Sequence, residues 1–130
     1  MKAGLRDVLE TGLFLFMKEL IAIIQPGKWT ATKAKLEEAG VTSYTTCRAY
    51  GRGKQQGLRY MGPKGEETRI HMMPKRVIWL WLSDSQLAPA LEAIMSVNRT
   101  GAIGDGKIFI CPLEGAVRVR TGDQAGQAIL

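Results

Sequence analysis

Two short apolar runs, each followed at once by a helix start, limit what this chain can fold into. Leu20-Ile21-Ala22-Ile23-Ile24 reads as a buried strand and stops at Gln25-Pro26-Gly27. Trp29 to Ala39 then reads as a helix, with Gly40 standing where a left-handed C-terminal residue is wanted. On that helix Leu36 and Ala39 face the core, while Lys33 and Glu37 pair four residues apart outside. The second run, Val77-Ile78-Trp79-Leu80-Trp81-Leu82, leads into Ser83-Asp84-Ser85-Gln86, a capping box for a second helix. Leu87, Leu91, Ile94 and Met95 form its apolar stripe, and Pro89 lies near its start.

Between these two units, residues 41–50 are rich in Val, Thr and Tyr and favour another strand. Residues 51–73 are polar, charged and glycine-rich, which reads as a long loop. A glycine loop follows the second helix, and then a strand over Lys107 to Cys111. The order β-α-β-β-α-β is that of an α+β, ferredoxin-like sandwich: an antiparallel sheet with both helices on one face. No further helix is left for the other face. Self-association is one way to bury Trp79 or Trp81.

A length of 130 residues fits one domain, and 45% hydrophobic with 23% charged residues fits an ordinary globular one. The net charge of +6 admits nucleic acid, an anionic membrane surface or phosphorylated small molecules as partners. Because the basic residues are scattered, a dedicated nucleic-acid arm is not indicated. Cys47 and Cys111 lie far apart, no CxxC is present, and His71 is the one histidine. That argues against a zinc site and a disulfide framework, and a reducing cytoplasm is the natural reading. His71 reads as an exposed loop residue and gives little support to a Ser–His or Cys–His centre. No apolar run is long enough for a membrane span. Leu13 to Met17 superficially resembles a signal peptide, but Lys18-Glu19 stand where a cleavage site belongs. Residues 1–16 read as an extension, with Met17 as a natural start because the strand pattern begins there.

The chemistry concentrates in Thr100-Gly101-Ala102-Ile103-Gly104-Asp105-Gly106-Lys107-Ile108-Phe109-Ile110. Glycines permit close backbone approach to a ligand, and successive N–H groups can cradle an anion beside Lys107. A phosphate, most readily that of a nucleotide, is the ligand suggested. Gly101 to Lys107 also matches the P-loop pattern, but Ile108 stands where a magnesium-binding Ser or Thr is needed, and a strand follows instead of a helix. Arg118 and Arg120, two apart in an extended segment, would share a face and suit phosphate oxygens. Gly51-Arg52-Gly53-Lys54-Gln55-Gln56-Gly57 is a second flexible basic loop.

Together these residues resemble the P-II nitrogen signalling proteins. The glycine run is similar to the family signature T-G-x-x-G-D-G-K-I-F, and Ile23-Ile24-Gln25-Pro26-Gly27-Lys28 resembles its first strand and turn. Gly51 to Gly57 resembles the base of its T-loop, Met73-Pro74-Lys75 the closing Leu-Pro-Lys, and Arg118-Val119-Arg120-Thr121-Gly122 its R-x-R-T-G ending. The resemblance spans roughly Met17 to Gly122, and implies a P-II-like domain over residues 17–130 with a T-loop at about 53–73. It implies a homotrimer with ATP or ADP in each cleft between subunits. Gly104, Asp105, Gly106 and Lys107 would hold the phosphates, Arg118 and Arg120 would reach them from the neighbouring subunit, and Ile23, Thr45, Gly51 and Gly53 would line the cleft. Gln55 matches a residue that helps ligate Mg2+ when 2-oxoglutarate binds, and Lys75 the lysine that pairs with a carboxylate of that metabolite. Magnesium-ATP and a bidentate 2-oxo acid would complete an octahedral, oxygen-rich site with few protein ligands. Ligand state would thereby set T-loop shape and docking on a transporter, enzyme or regulator.

The pattern departs from the family in places. The family's modified T-loop tyrosine falls near Glu67 or Thr68, and Tyr60 lies nearer the loop's start, so uridylylation or adenylylation is not implied. Ala102 and Trp79 replace residues that are usually polar. The Gly-Arg-Gly-Lys-Gln start is closer to branches associated with nitrogen fixation, which act on nitrogenase. Two other classes compete. A nucleotide hydrolase lacks an evident general base apart from Asp105. A basic ferredoxin-like nucleic-acid binder needs aromatics on the open sheet face, and Trp79 and Trp81 alternate with Leu80 and Leu82 as that requires.

Overall fold

The structure, a computed structural model, describes residues 17–53, 58–61, 67–70 and 72–129, of which 58–61 and 67–70 by their backbone alone. The expected extension over residues 1–16 and His71 lie outside the described residues. Strand β1 (Met17–Ile24) begins at Met17. Leu20, Ala22 and Ile24 are buried and Ile21 and Ile23 half-buried, because alternate residues of a strand face opposite sides.

A 3-10 turn at Pro26–Lys28 leads into helix α1 (Trp29–Glu38). The helix stops on a Schellman motif. Gly40 takes φ +82°. Its N–H donates to the Glu37 carbonyl at 3.0 Å, and that of Val41 to Leu36 at 2.9 Å. Val41 and Leu36 are buried in the same cluster. Val41 therefore closes α1, and strand β2 spans only Thr45–Gly51, shorter than residues 41–50 suggest. On the outer face of α1 the ion pair is Lys35–Glu38 at 3.2 Å, and among the described residues Lys33 and Glu37 form none.

Residues 51–73, expected as a loop, contain strands β3 (Leu58–Met61) and β4 (Glu67–Ile70), paired antiparallel with Leu58 opposite Ile70. Backbone groups need partners whatever the side chains, so a polar segment can still form a ladder. Strand β5 (Met73–Ser83) is longer than its apolar run. Its first residues, Met73 to Lys75, pair only with β2, at the sheet's end, where no buried side chain is required.

Helix α2 (Asp84–Asn98) starts at Ser83, whose N–H donates to Gln86 Oε1 at 3.1 Å. Pro89 is accommodated inside it. Its buried residues are Ala90, Ala93, Ile94 and Asn98, while Met95 is 40% exposed. The buried stripe is thus rotated from the expected one, because small alanines sit where α2 lies against the core. Strand β6 (Lys107–Pro112) completes a four-stranded sheet of order β2-β5-β1-β6, with every pair antiparallel. This is the expected ferredoxin-like topology with an added hairpin.

The core lies between the helices and one sheet face, built on Leu20, Ala22, Ile24, Ile78, Leu80 and Leu82. Each buried Leu or Ile contributes about 1.5–3 kcal/mol. Among the described residues the opposite face is covered only at its Met17 end, by Leu113, Ala125 and Ile129. Trp81 and Phe109 on that face are 39% and 46% exposed. Among the described residues no helix is long and apolar enough to cross a membrane.

One polar link joins the helices beneath the glycine loop. Buried Asn98 donates to Thr32 Oγ1 at 2.9 Å and to the Ile94 carbonyl at 2.8 Å, and Thr32 donates to Lys28 O at 2.7 Å. Asn98→Ala should cost about 1–3 kcal/mol, read as a lowered denaturation midpoint.

Candidate functional site

Ile23 of β1 lies opposite Lys107 of β6 and Val77 of β5, and Lys75 lies two residues before Val77. The strand period therefore puts Ile23, Lys75 and Lys107 on the open face, at the end away from Met17. A cleft of about 610 Å³ opens there, within the range of roughly 300–1,000 Å³ that small-molecule sites occupy. It gathers Ile23, Gly51, Gly53, Lys75, Gly104, Gly106 and Lys107, drawn from four separate stretches of sequence. Arg52 and Ile103 complete its lining. Among the described residues none of Lys75, Lys107 and Arg52 forms an ion pair, so the cleft carries uncompensated positive charge.

Backbone conformation explains the glycine loop. Gly104 and Gly106 take φ +100° and +110°, which L side chains rarely adopt. A Cβ at Gly106 would also stand 2.0 Å from the Ile23 carbonyl oxygen. Gln25 Nε2 donates to the Gly104 carbonyl at 3.0 Å, tying the loop to the end of β1.

Asp105 is expected among the phosphate ligands, but it does not line the cleft and turns back into its own loop. Its carboxylate accepts the N–H of Thr100 at 2.7 Å, that of Gly101 at 2.9 Å, and the Thr100 hydroxyl. These bonds, that from the Thr100 hydroxyl foremost, hold its pKa below the ordinary 3.8. A carboxylate so engaged is a poor general base. Lys107 opens a strand, so no helix N-terminus follows the loop as a P-loop requires.

Thr45 and Arg118 stand elsewhere, in a second groove of about 470 Å³ that also touches Trp81. Trp81 is level with Glu19 and Lys107 with Ile23, a difference of four residues and about 13 Å along β1, while Thr45 is level with Ile21, two residues and about 7 Å from Ile23. The segment of Arg118 and Arg120 is a turn and not the expected extended strand. Gly122 at φ +74° returns its N–H to the Arg118 carbonyl at 2.7 Å. Arg118 donates to Asp123 at 3.4 Å and to the Gln127 carbonyl at 3.1 Å, and Arg120 is exposed on the same turn. Gln55 lies outside the described residues. Among those described, no group of three His, Cys, Asp or Glu residues is placed to hold a metal.

Arg52, Ile103 and Gln25 are residues that sequence reasoning left out of the site. Arg52 carried a signal, a guanidinium between two glycines. Gln25 carried none, since a glutamine beside a proline reads only as a turn.

Fold and cleft together define a ferredoxin-like domain with a basic, glycine-walled site on its uncovered face. The family model "Nitrogen regulatory protein P-II" matches residues 17–123. The nitrogen fixation nifHD region GlnB-like protein 2 of Methanobacterium ivanovii is 43% identical over 122 residues, covering 88% of this chain and 100% of that protein. The nitrogen regulatory protein P-II of Azospirillum brasilense is 42% identical over 113 residues, covering 87% and 100%. A crystal structure of Arabidopsis thaliana PII bound to citrate superposes with a TM-score of 0.69 at 24% identity, covering 88% of this chain and 90% of that one. The chain belongs to the P-II family of nitrogen regulatory proteins.

Gly106→Ala should displace the loop from β1, read as a lowered melting temperature with lost amide protection at Lys107. Because the pKa of Asp105 is depressed on folding, its clamp holds above 3.8 and opens only as the pH falls below that value. The Thr100 and Gly101 amide resonances should therefore stay constant from neutral pH down to that point and shift beneath it.

Proposed function

We propose that this protein is a homotrimeric signalling protein that binds ATP or ADP in clefts between subunits and answers to 2-oxoglutarate. The observation that carries this reading is the single cleft that collects Ile23, Gly51, Gly53, Lys75, Gly104, Gly106 and Lys107. Glycine backbone and two lysines suit a polyphosphate. Gly104, Gly106 and Lys107 hold the phosphates, and Ile23 packs beside the ligand. Asp105 serves by fixing the loop.

Subunit assembly follows from the same face. Trp79, Trp81 and Phe109 lie on the side that, among the described residues, no helix covers. A second copy packed there removes that apolar area from water. Arg118 lies outside the cleft, in the second groove, so it serves a neighbour's nucleotide and not its own, while Thr45, level with Ile21, stands beside the cleft. Arg120 joins Arg118 from the same turn.

Magnesium, held with help from Gln55, supplies a hard cation that gathers phosphate and 2-oxo-acid oxygens. Lys75 neutralises the metabolite's distal carboxylate. The segment over residues 53–73 then docks on a target in nitrogen metabolism: an ammonium transporter, an assimilation enzyme or nitrogenase. The relatives named for a nitrogen fixation region support the last of these. The protein works in the cytoplasm and catalyses no reaction of its own.

Calorimetry with ATP, ADP and 2-oxoglutarate tests this. Nucleotide should bind alone, and 2-oxoglutarate only with magnesium and ATP. Binding of 2-oxoglutarate without ATP would overturn the site. Lys107→Ala should weaken nucleotide binding about tenfold or more without unfolding the protein. Lys75→Ala should spare ATP and weaken 2-oxoglutarate, and an equal loss of both would mean a structural role for that lysine.

A further inference from the structure

We infer that Arg52 is the residue with which this cleft tells a nucleoside triphosphate from a diphosphate. The inference rests on the nucleotide reading above and adds a specificity residue to it.

The placement of the cations carries the argument. β6 and β2 are the two edges of the sheet, with β1 and β5 between them. Lys107 opens β6 and Arg52 follows directly on β2, yet both line one cleft. Lys107 is level with Ile23, Val77 and Cys47, so the two backbones are separated by three strand spacings, about 14 Å, across the sheet and by five residues, about 17 Å, along it. Lys75, on β5, stands between them, and its Cγ lies 3.6 Å from where a Gly51 Cβ would be. Long side chains reaching inward from both edges narrow that span to the scale of a polyphosphate chain. A ligand held at its inner phosphates by the glycine loop and Lys107 therefore extends toward Arg52.

The chemistry of the side chain suits the far end of such a ligand. A guanidinium presents a planar fork that takes two oxygens of one phosphate, whereas a lysine offers a point charge. Arg52 is exposed, and among the described residues no carboxylate competes for it. Gly51 and Gly53 on either side leave the fork without bulky neighbours along the chain. A diphosphate ends short of that fork. A triphosphate brings both the extra length and the extra charge.

Titration of the intact chain with ATP and with ADP, at fixed salt and magnesium and without 2-oxoglutarate, tests this. Arg52→Gln should lower ATP affinity about tenfold and ADP affinity less than about twofold, at an unchanged melting temperature. Arg52→Lys should restore part of the loss, since it keeps the charge and removes the fork. Lys107→Ala serves as the comparator and should weaken both nucleotides alike. If the wild-type chain binds ATP and Arg52→Gln leaves the ATP-to-ADP preference unchanged, the assignment of Arg52 falls and the nucleotide reading stands. If the wild-type chain binds neither nucleotide, both fall.

Discussion

The passage of Gly106 against the Ile23 carbonyl is the constraint on which fold and site both depend. With no Cβ at residue 106 the loop backbone lies directly on the end of β1, where any side chain would stand 2.0 Å from that oxygen. From there the chain enters β6 in a register that sets Lys107 opposite Ile23. That register decides that the lysine points to the open face. Gln25 and Asp105 hold the remainder of the loop from its two sides. One close contact thus orders the last strand and shapes one wall of the cleft.

The two faces of the sheet have different fates. One is closed by α1 and α2 over a buried aliphatic core. On the other, a short C-terminal segment packs against Met17 and leaves Trp81 and Phe109 in contact with water. The cleft belongs to this less covered side. This face is apolar in its middle, basic at one end and occupied by the Arg118 turn at the other.

Much of this was legible in the residues because it is local. Gly40 announced the end of α1 and Ser83 with Gln86 the start of α2, since caps act within a turn of the chain. The apolar runs marked β1 and the inner part of β5. Where the reading failed, a cap, a turn or a strand partner had intervened. Val41 looks like a strand residue and is the buried end of a helix. Met73 to Lys75 look like loop and form strand, because β2 offers them partners. Arg118 and Arg120 look extended and sit on a turn, because Gly122 and Asp123 fold the segment back. Asp105 reads as a phosphate ligand from its place in the glycine loop, but its carboxylate is spent on the loop's own amides.

By itself the sequence determined the order of the helices and of the four strands of the main sheet, the helix ends, the need for glycine before Lys107 and the kinship with P-II proteins, all of which depend on residues near one another in the chain. The tertiary structure decided which distant residues share a cleft. It placed Arg52 and Lys75 with Lys107, set Thr45 and Arg118 apart, and turned Asp105 away. The physical reason is that strand order and register, and not sequence distance, fix which side chains meet across a sheet.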